Sequence, residues 1–452
     1  MKACDAIVEI LKREGVDILF GYPRNALLEA AAQGNIRTII PRQERVGLHM
    51  ADALSRLTRG ERMGVFCCQH GPGTESAYTG VAQAYAESVP LLVLPGGYPT
   101  AIAHVGRNYN ASRSMRDITK SAEPLVAPAQ VNDVMRRAFT QLRNGRPGPA
   151  LVELPFDTLE QDGAEVDYTP VTRSRYAPDG ESIAKAADML CAAKRPVLYA
   201  GQGIHWAAAY AELKELAELL AIPVCTSLPG KSSFDETHPL SLGAGGAAMP
   251  YAVRYFLEEA DLIVGLGCSF TSTAFGIRMP GGKKVIHATL DPGELNRGVT
   301  ADLALIGDAR LTLQALIHQP TGGLVAAPTT SLPEQPGGSL NWDYRYCWLR
   351  DSTFTLTALL NAGYREEAAA WRDWILRALG AEPSKMHVMY RVDGTRDVIE
   401  RSIDWLPGYR QSVPVRVGNV AAYQHQVDIY GEVIDAMELA TRAGIVQTPP
   451  AI

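Results

Sequence analysis

The spacing of apolar residues changes character once along this chain, near Gln319, and that change limits the fold more than any single motif. Before it, short Val/Ile/Leu-rich runs alternate with amphipathic, helix-length segments and glycine turns. Beyond Gly338 the segments are aromatic-rich and helical in period, and they hold Trp342, Trp348, Trp371, Trp374 and Trp405, five of the six tryptophans. Between the two lies Gln319 to Ser339, in which 13 of 21 residues are Pro, Gly, Ser or Thr. A segment so poor in apolar surface cannot offset its ordering entropy, so a flexible tether is expected over residues 319–338.

Composition narrows the function classes. At 452 residues, 46% hydrophobic and 20% charged, the chain has the make-up of a globular protein of about three domains. A net charge of −6 gives no reason to expect nucleic acid or an anionic membrane as a partner. The N-terminus runs straight into an amphipathic helix, with Ile7, Ile10 and Leu11 on one side and Lys12, Arg13 and Glu14 on the other. No signal-peptide core and no bilayer-length apolar stretch is read, so a cytoplasmic protein is expected. Seven cysteines, none in a C-x-x-C pair, point to reduced, buried thiols and to no metal site.

Residues 1–165 read as strand, turn, helix in repetition: strands over 17–22, 38–41, 63–69 and 90–95, with helices over 26–32, 44–58 and 75–86. Asn25 is placed to cap the first of these helices. Strands apolar throughout and separated by helices argue a parallel sheet covered on both faces, whose ligands bind beyond the strands' carboxyl ends. The turns at Gly21-Tyr22-Pro23, Pro41 to Glu44 and Gly71-Pro72-Gly73 fall at that edge. Taken alone, Glu44 is a first-turn carboxylate favoured by unpaired helix amides, and the Gly-Pro-Gly run is a tight turn.

In order and spacing, several runs together resemble one family. They are Phe20-Gly21-Tyr22-Pro23, Arg42-Gln43-Glu44-Arg45 with His49 to Asp52, and Gln69-His70-Gly71-Pro72-Gly73. Ala82 to Tyr85 with Ser88-Val89-Pro90, and Gly145 to Pro149 before Val152-Glu153-Leu154-Pro155, continue the match. The family is the thiamine-diphosphate enzymes of the acetolactate synthase type, and the match covers their pyrimidine-binding domain. The resemblance implies that Glu44 hydrogen-bonds a ring nitrogen of the cofactor's aminopyrimidine and so helps to remove the thiazolium C2 proton. It also implies a pyrimidine pocket lined by Tyr22, Pro23, Gln69 and Pro72, with Ser76 standing where acetolactate synthases carry asparagine. Asn110 stands where their substrate-side glutamine falls. Both departures point away from acetolactate synthesis itself, towards another 2-oxo acid decarboxylase or carboligase of the wider family.

Residues 183–318 read as a second parallel α/β unit, with strands at 195–200, 222–226, 261–267 and 284–290 and a helix over 207–220. This segment resembles the same family's central domain, which binds a flavin dinucleotide (FAD) in some relatives and is scaffold in others. Gly201-Gln202-Gly203 is followed by Trp206 rather than glycine at the third fingerprint position, which favours scaffold. The family's third domain holds the cofactor's diphosphate through Mg²⁺ and carries a Gly-Asp-Gly run; here Gly307-Asp308 is followed by Ala309, and Asp393-Gly394 is preceded by Val392. A homo-oligomer, or a partner chain with the Mg²⁺ and diphosphate-binding domain, is therefore expected; only such a partner would supply that site, and the chain alone is expected to be inactive.

Residues 339–452 open with Asn341-Trp342-Asp343-Tyr344-Arg345 and Trp348-Leu349-Arg350-Asp351 and continue into helices over 352–362, 366–379 and 420–443. They resemble glycoside hydrolase family 15, whose catalytic domain is an all-α (α/α)₆ barrel. By that resemblance Arg350 and Asp351 would bind a glucan. No tryptophan is followed by the family's acid glutamate, so hydrolysis is not expected. The expected architecture is thus α/β, two doubly wound parallel-sheet domains, followed by an incomplete all-α barrel segment.

Overall fold

A computed structural model describes residues 1–22, 26–317, 323–327, 329–379, 386–392, 394–396 and 398–445. The chain divides into two compact units, Met1–His318 and Gln319–Ile452.

The first unit opens with strands β1 (Ile18–Tyr22), β2 (Arg37–Ile39), β3 (Gly64–Cys68), β4 (Leu91–Gly97), β5 (Ser121–Pro124) and β6 (Pro149–Pro155). They form a parallel sheet in the order β2-β1-β3-β4-β6-β5. Strand side chains alternate between faces, so each apolar run feeds two cores. Leu19, Val65, Leu92 and Val152 pack on one face, under helices α1 (Ala3–Arg13) and α2 (Ala26–Gln33). Phe20, Phe66, Val93 and Leu151 pack on the other, under α3 (Glu44–Leu57) and α4 (Pro72–Ala86). Helices α5 (Ala111–Ser114) and α6 (Val131–Arg143) follow, and α6 joins the first face. The expected strands and helices of residues 1–165 are present, while Asn25 lies outside the described residues. Edge strand β5, Ser-Ala-Glu-Pro, was not expected, because it carries almost no apolar signal.

After α7 (Phe156–Leu159) the chain returns along the first core, where buried Glu14 accepts hydrogen bonds from the Tyr168 hydroxyl at 2.6 Å and the Val171 amide at 2.9 Å. The second sheet comprises β7 (Pro196–Ala200), β8 (Val224–Ser227), β9 (Ser241–Gly245), β10 (Leu262–Leu266), β11 (Lys284–Thr289) and β12 (Leu303–Ile306). Its order is β12-β11-β10-β7-β8-β9, again parallel. Helices α8 (Gly180–Ala192), α9 (Gly203–Ala207), α10 (Tyr210–Leu220), α11 (Tyr251–Glu259) and α12 (Ala309–Ile317) complete it. The single helix expected over 207–220 is instead α9 and α10, broken where Ala208 turns left-handed at φ 52°. An alanine gives no sequence warning of such a break.

The second unit corrects three expectations. It is not all-α: helices α13 (Leu349–Asn361), α14 (Arg365–Leu379) and α15 (Asp428–Arg442) are joined by three antiparallel two-stranded ladders. These pair β13 (Thr330–Pro333) with β14 (Asn341–Asp343), β15 (Cys347–Trp348) with β16 (Met389–Tyr390), and β17 (Arg401–Ser402) with β18 (Arg416–Val417). Three helices, the α-helical content among the described residues, do not close a barrel. The helix expected over 420–443 begins at Asp428, because Asn419 caps a single 3₁₀ turn that ends at Tyr423. Nor is 319–338 wholly a tether. Ser331 is buried and its hydroxyl meets the Arg416 carbonyl at 2.9 Å, so polar residues order this segment where apolar ones are scarce. Trp371, Trp374, Ile375 and Leu379 do form the buried side of α14.

Candidate functional site

The order of the first sheet reverses between β1 and β3: β2 lies to one side of the pair, and β4, β6 and β5 to the other. Loops leaving two such strands diverge, so a crevice opens at their carboxyl ends. Tyr22, the last residue of β1, pairs there with Cys68, the last of β3. Glu44 is the first residue of α3 and enters the crevice from the adjoining turn; the preceding Gln43 is extended, with φ −153° and ψ 151°. A cleft of about 550 Å³ is lined by Tyr22, Arg42, Glu44, Ser76 and Thr79, among others.

Glycines set the depth of α3 and α4. A methyl group on Gly47 would stand 2.7 Å from both the Phe66 ring and Pro41, and one on Gly80 would stand 2.5 Å from Leu48. Without these side chains the two helices settle close to β3 and to each other. Gly73 makes the tightest cradle for the carboxylate. Its missing methyl would fall 3.2 Å from Glu44 Oε1 and 2.8 Å from Gln69 Cγ. Burial pushes the neighbouring Cys68 thiol up to about 12, and the Glu44 charge adds to the shift. No described residue makes a hydrogen bond or ion pair with the Glu44 carboxylate, which is half-buried with its oxygens free to meet a ligand.

Of the other expected residues, Gln69 is half-buried at the end of β3, and its carbonyl accepts the Thr74 hydroxyl at 3.1 Å. Pro72 starts α4, and Ser76 is exposed on that helix and lines the cleft. Pro23 lies outside the described residues. Asn110 caps α5: its Oδ1 accepts from the Arg113 amide at 2.8 Å and the Ser112 hydroxyl at 3.1 Å. The amides of Ala111 and Ser112 in turn donate to buried Glu153, at 3.2 and 2.9 Å. The carbonyl of Asn110 is therefore already engaged within its loop. In the second unit, Arg350 pairs with Asp428 at 3.4 Å rather than with its neighbour Asp351, which is exposed. The sequence marked no role for Glu153, whose carboxylate holds the loop of Asn110; only its position near a strand end could have signalled it.

The second sheet reverses between β7 and β10, and a cleft of about 590 Å³ opens beside that point. The turn after β7 does not fit a dinucleotide's phosphates. The amides of Gly201 and Gly203, which would cradle them, donate to the carbonyls of Leu266 at 2.9 Å and Gly267 at 2.8 Å. These glycines bring two backbones together: a methyl on Gly201 would stand 2.4 Å from the Gly267 oxygen. Among the described residues no group of three His, Cys, Asp or Glu could hold a metal ion, and no helix is long and apolar enough to cross a membrane. Among the described residues no disulfide is formed, and all seven cysteines but Cys191 are buried.

Residues 1–120 match the family described as the thiamine pyrophosphate enzyme N-terminal TPP binding domain, and residues 183–316 match its central domain. The first unit carries the N-terminal and central domains of the thiamine pyrophosphate enzymes. Residues 307–450 match the glycosyl hydrolases family 15, a match that begins within the last segment of the first unit. Over 333 residues the chain is 36% identical to a probable acetolactate synthase large subunit of Methanocaldococcus jannaschii, covering 70% of this chain and 56% of that protein. It is 32% identical over 332 residues to a glyoxylate carboligase of Escherichia coli O157:H7, covering 70% and 55%. The chain thus spans little more than half the length of these relatives. A Mycobacterium smegmatis protein assigned provisionally to the thiamin diphosphate-dependent enzymes shares the fold, with a TM-score of 0.62, 24% identity, and coverage of 70% of this chain and 62% of that one. The crevice residues fit an aminopyrimidine: a carboxylate free among the described residues, a glycine that leaves room beside it, and the Tyr22 ring in the lining, while Pro72 is exposed and is not among the lining residues.

Proposed function

We propose that the first unit binds the aminopyrimidine end of thiamine diphosphate in the β1/β3 crevice and serves the decarboxylation or carboligation of a 2-oxo acid. The observation that carries this reading is the Glu44 carboxylate, free of protein partners and held against Gly73 where the strand order reverses. The similar proteins are named for acetolactate synthesis and for glyoxylate carboligation, so the proposal extends to the 2-oxo acid class rather than to one substrate.

When bound, thiamine diphosphate supplies a nucleophilic carbon that attacks a 2-oxo group. Glu44, at the first turn of α3, holds a proton at a pyrimidine ring nitrogen. Tyr22 lies in the cleft lining beside the ring, and Gln69 and Pro72 border the glycine turn. The diphosphate and its Mg²⁺ are assigned in this proposal to a further domain carried by a partner chain. The central domain enters as scaffold rather than as an FAD site, because its turn amides are already bonded.

Titration calorimetry with thiamine diphosphate and Mg²⁺ tests the reading. The wild type should release heat, and Glu44→Gln should weaken binding about tenfold or more, the loss of one charge-assisted hydrogen bond. Equal isotherms for the two proteins count against it, as does silence from the wild type in the presence of any partner chain that it requires.

A further inference from the structure

His70 follows Gln69 at the end of β3 and precedes the glycine turn that cradles Glu44. Its ring stands edge-on to two aromatic rings: Tyr98, with centroids 4.5 Å apart, and Phe156, at 4.8 Å. Tyr98 follows β4 and Phe156 follows β6, so three strand ends converge on this imidazole. The Tyr98 hydroxyl lies 3.0 Å from where a methyl on Gly71 would be. His70 and Glu44 therefore flank one short turn. Two residues separate His70 from Gly73, which places their α-carbons within about 11 Å of each other even in extended chain.

The imidazole's two nitrogens differ. Nδ1 is shut away from solvent with no hydrogen-bond partner, whereas Nε2 is not enclosed. A buried N–H without an acceptor is rarer and costlier than an unsatisfied lone pair, so the proton belongs on Nε2. Burial also lowers the pKa of His70 below the ordinary histidine value, so the ring stays neutral.

We propose that His70 is a substrate-recognition residue of this site, donating a hydrogen bond from Nε2 to an oxygen of the bound 2-oxo acid. Tyr98 and Phe156 hold the ring edge-on at the ligand edge of the sheet, and Nε2 is its one nitrogen not shut away. The assignment rests on the thiamine diphosphate reading above, and the experiment separates the two.

The full chain, labelled with ¹⁵N-histidine, is compared with His70→Phe and His70→Gln. Long-range ¹H–¹⁵N correlation should show His70 as the Nε2–H tautomer without any ligand. Calorimetry should give all three proteins the same thiamine diphosphate affinity within about twofold. With the cofactor present, pyruvate as probe should bind His70→Phe about tenfold more weakly, the loss of one hydrogen bond, with partial recovery in His70→Gln. An Nδ1–H tautomer, or undiminished pyruvate binding by a His70→Phe protein that still takes up the cofactor, overturns the assignment. If the wild type takes up no thiamine diphosphate even with any partner chain that it requires, the parent reading fails, and this one with it.

Discussion

Gly73 and Glu44 are far apart in sequence, yet one atom's width separates the glycine's missing side chain from the carboxylate. The crevice is defined at that resolution. Gly73→Ala should lower thiamine diphosphate affinity about tenfold while costing about 1–3 kcal/mol of stability, because the methyl presses on Gln69 and Glu44 together. Calorimetric titration beside thermal melting separates the two effects, and unchanged affinity would mean that the carboxylate is not held by this contact. At this scale the sequence was legible for Glu44, whose place at a helix start after a strand is a local property. It was not legible for Asn110, whose side chain caps α5 because Glu153, on a strand 43 positions later, takes the helix's first amides.

Short ladders in the second unit depend on one buried acid. Asp343, on β14, accepts from the Arg345 side chain at 2.9 Å and from the Gly418 amide, beside β18, at 3.1 Å. Desolvation pushes its pKa up, but the bonds from Arg345 and Gly418 outweigh it and hold the carboxyl below the ordinary aspartate value. A folded pKa lower than the unfolded one means that the stabilisation is complete above about pH 4 and is lost as the pH falls through the folded value. Asp343→Asn should cost about 2–3 kcal/mol at neutral pH and flatten the acid limb of this unit's stability curve. Chemical denaturation between pH 7 and pH 3 measures both. A variant as acid-sensitive as the wild type would show that other carboxyls dominate. None of the ladders was foreseen, since two-residue strands carry too few side chains to display a period.

Across the whole chain, the buried apolar clusters close within one unit or the other: four lie within residues 3–317 and two within residues 324–445. Each unit should therefore unfold as its own cooperative transition. Scanning calorimetry of the full chain should show two transitions. A version ending at His318 should keep one of them within about 3 °C, a shift well under what 1 kcal/mol produces in a small domain, along with the same thiamine diphosphate affinity. Loss of both transitions on truncation would show that the units stabilise each other.

By itself the sequence determined the α/β class of the first 318 residues, the change of pattern near residue 319, the turns at the ligand edge and the position of Glu44. All of these follow from spacing and turn chemistry within a few neighbouring residues. Strand order, the crevice between β1 and β3, the fit of Gly73 against Glu44 and the lone exposed nitrogen of His70 were decided only by tertiary structure. Each depends on which distant strands and helices meet when both faces of a sheet are buried, and no local pattern encodes that choice.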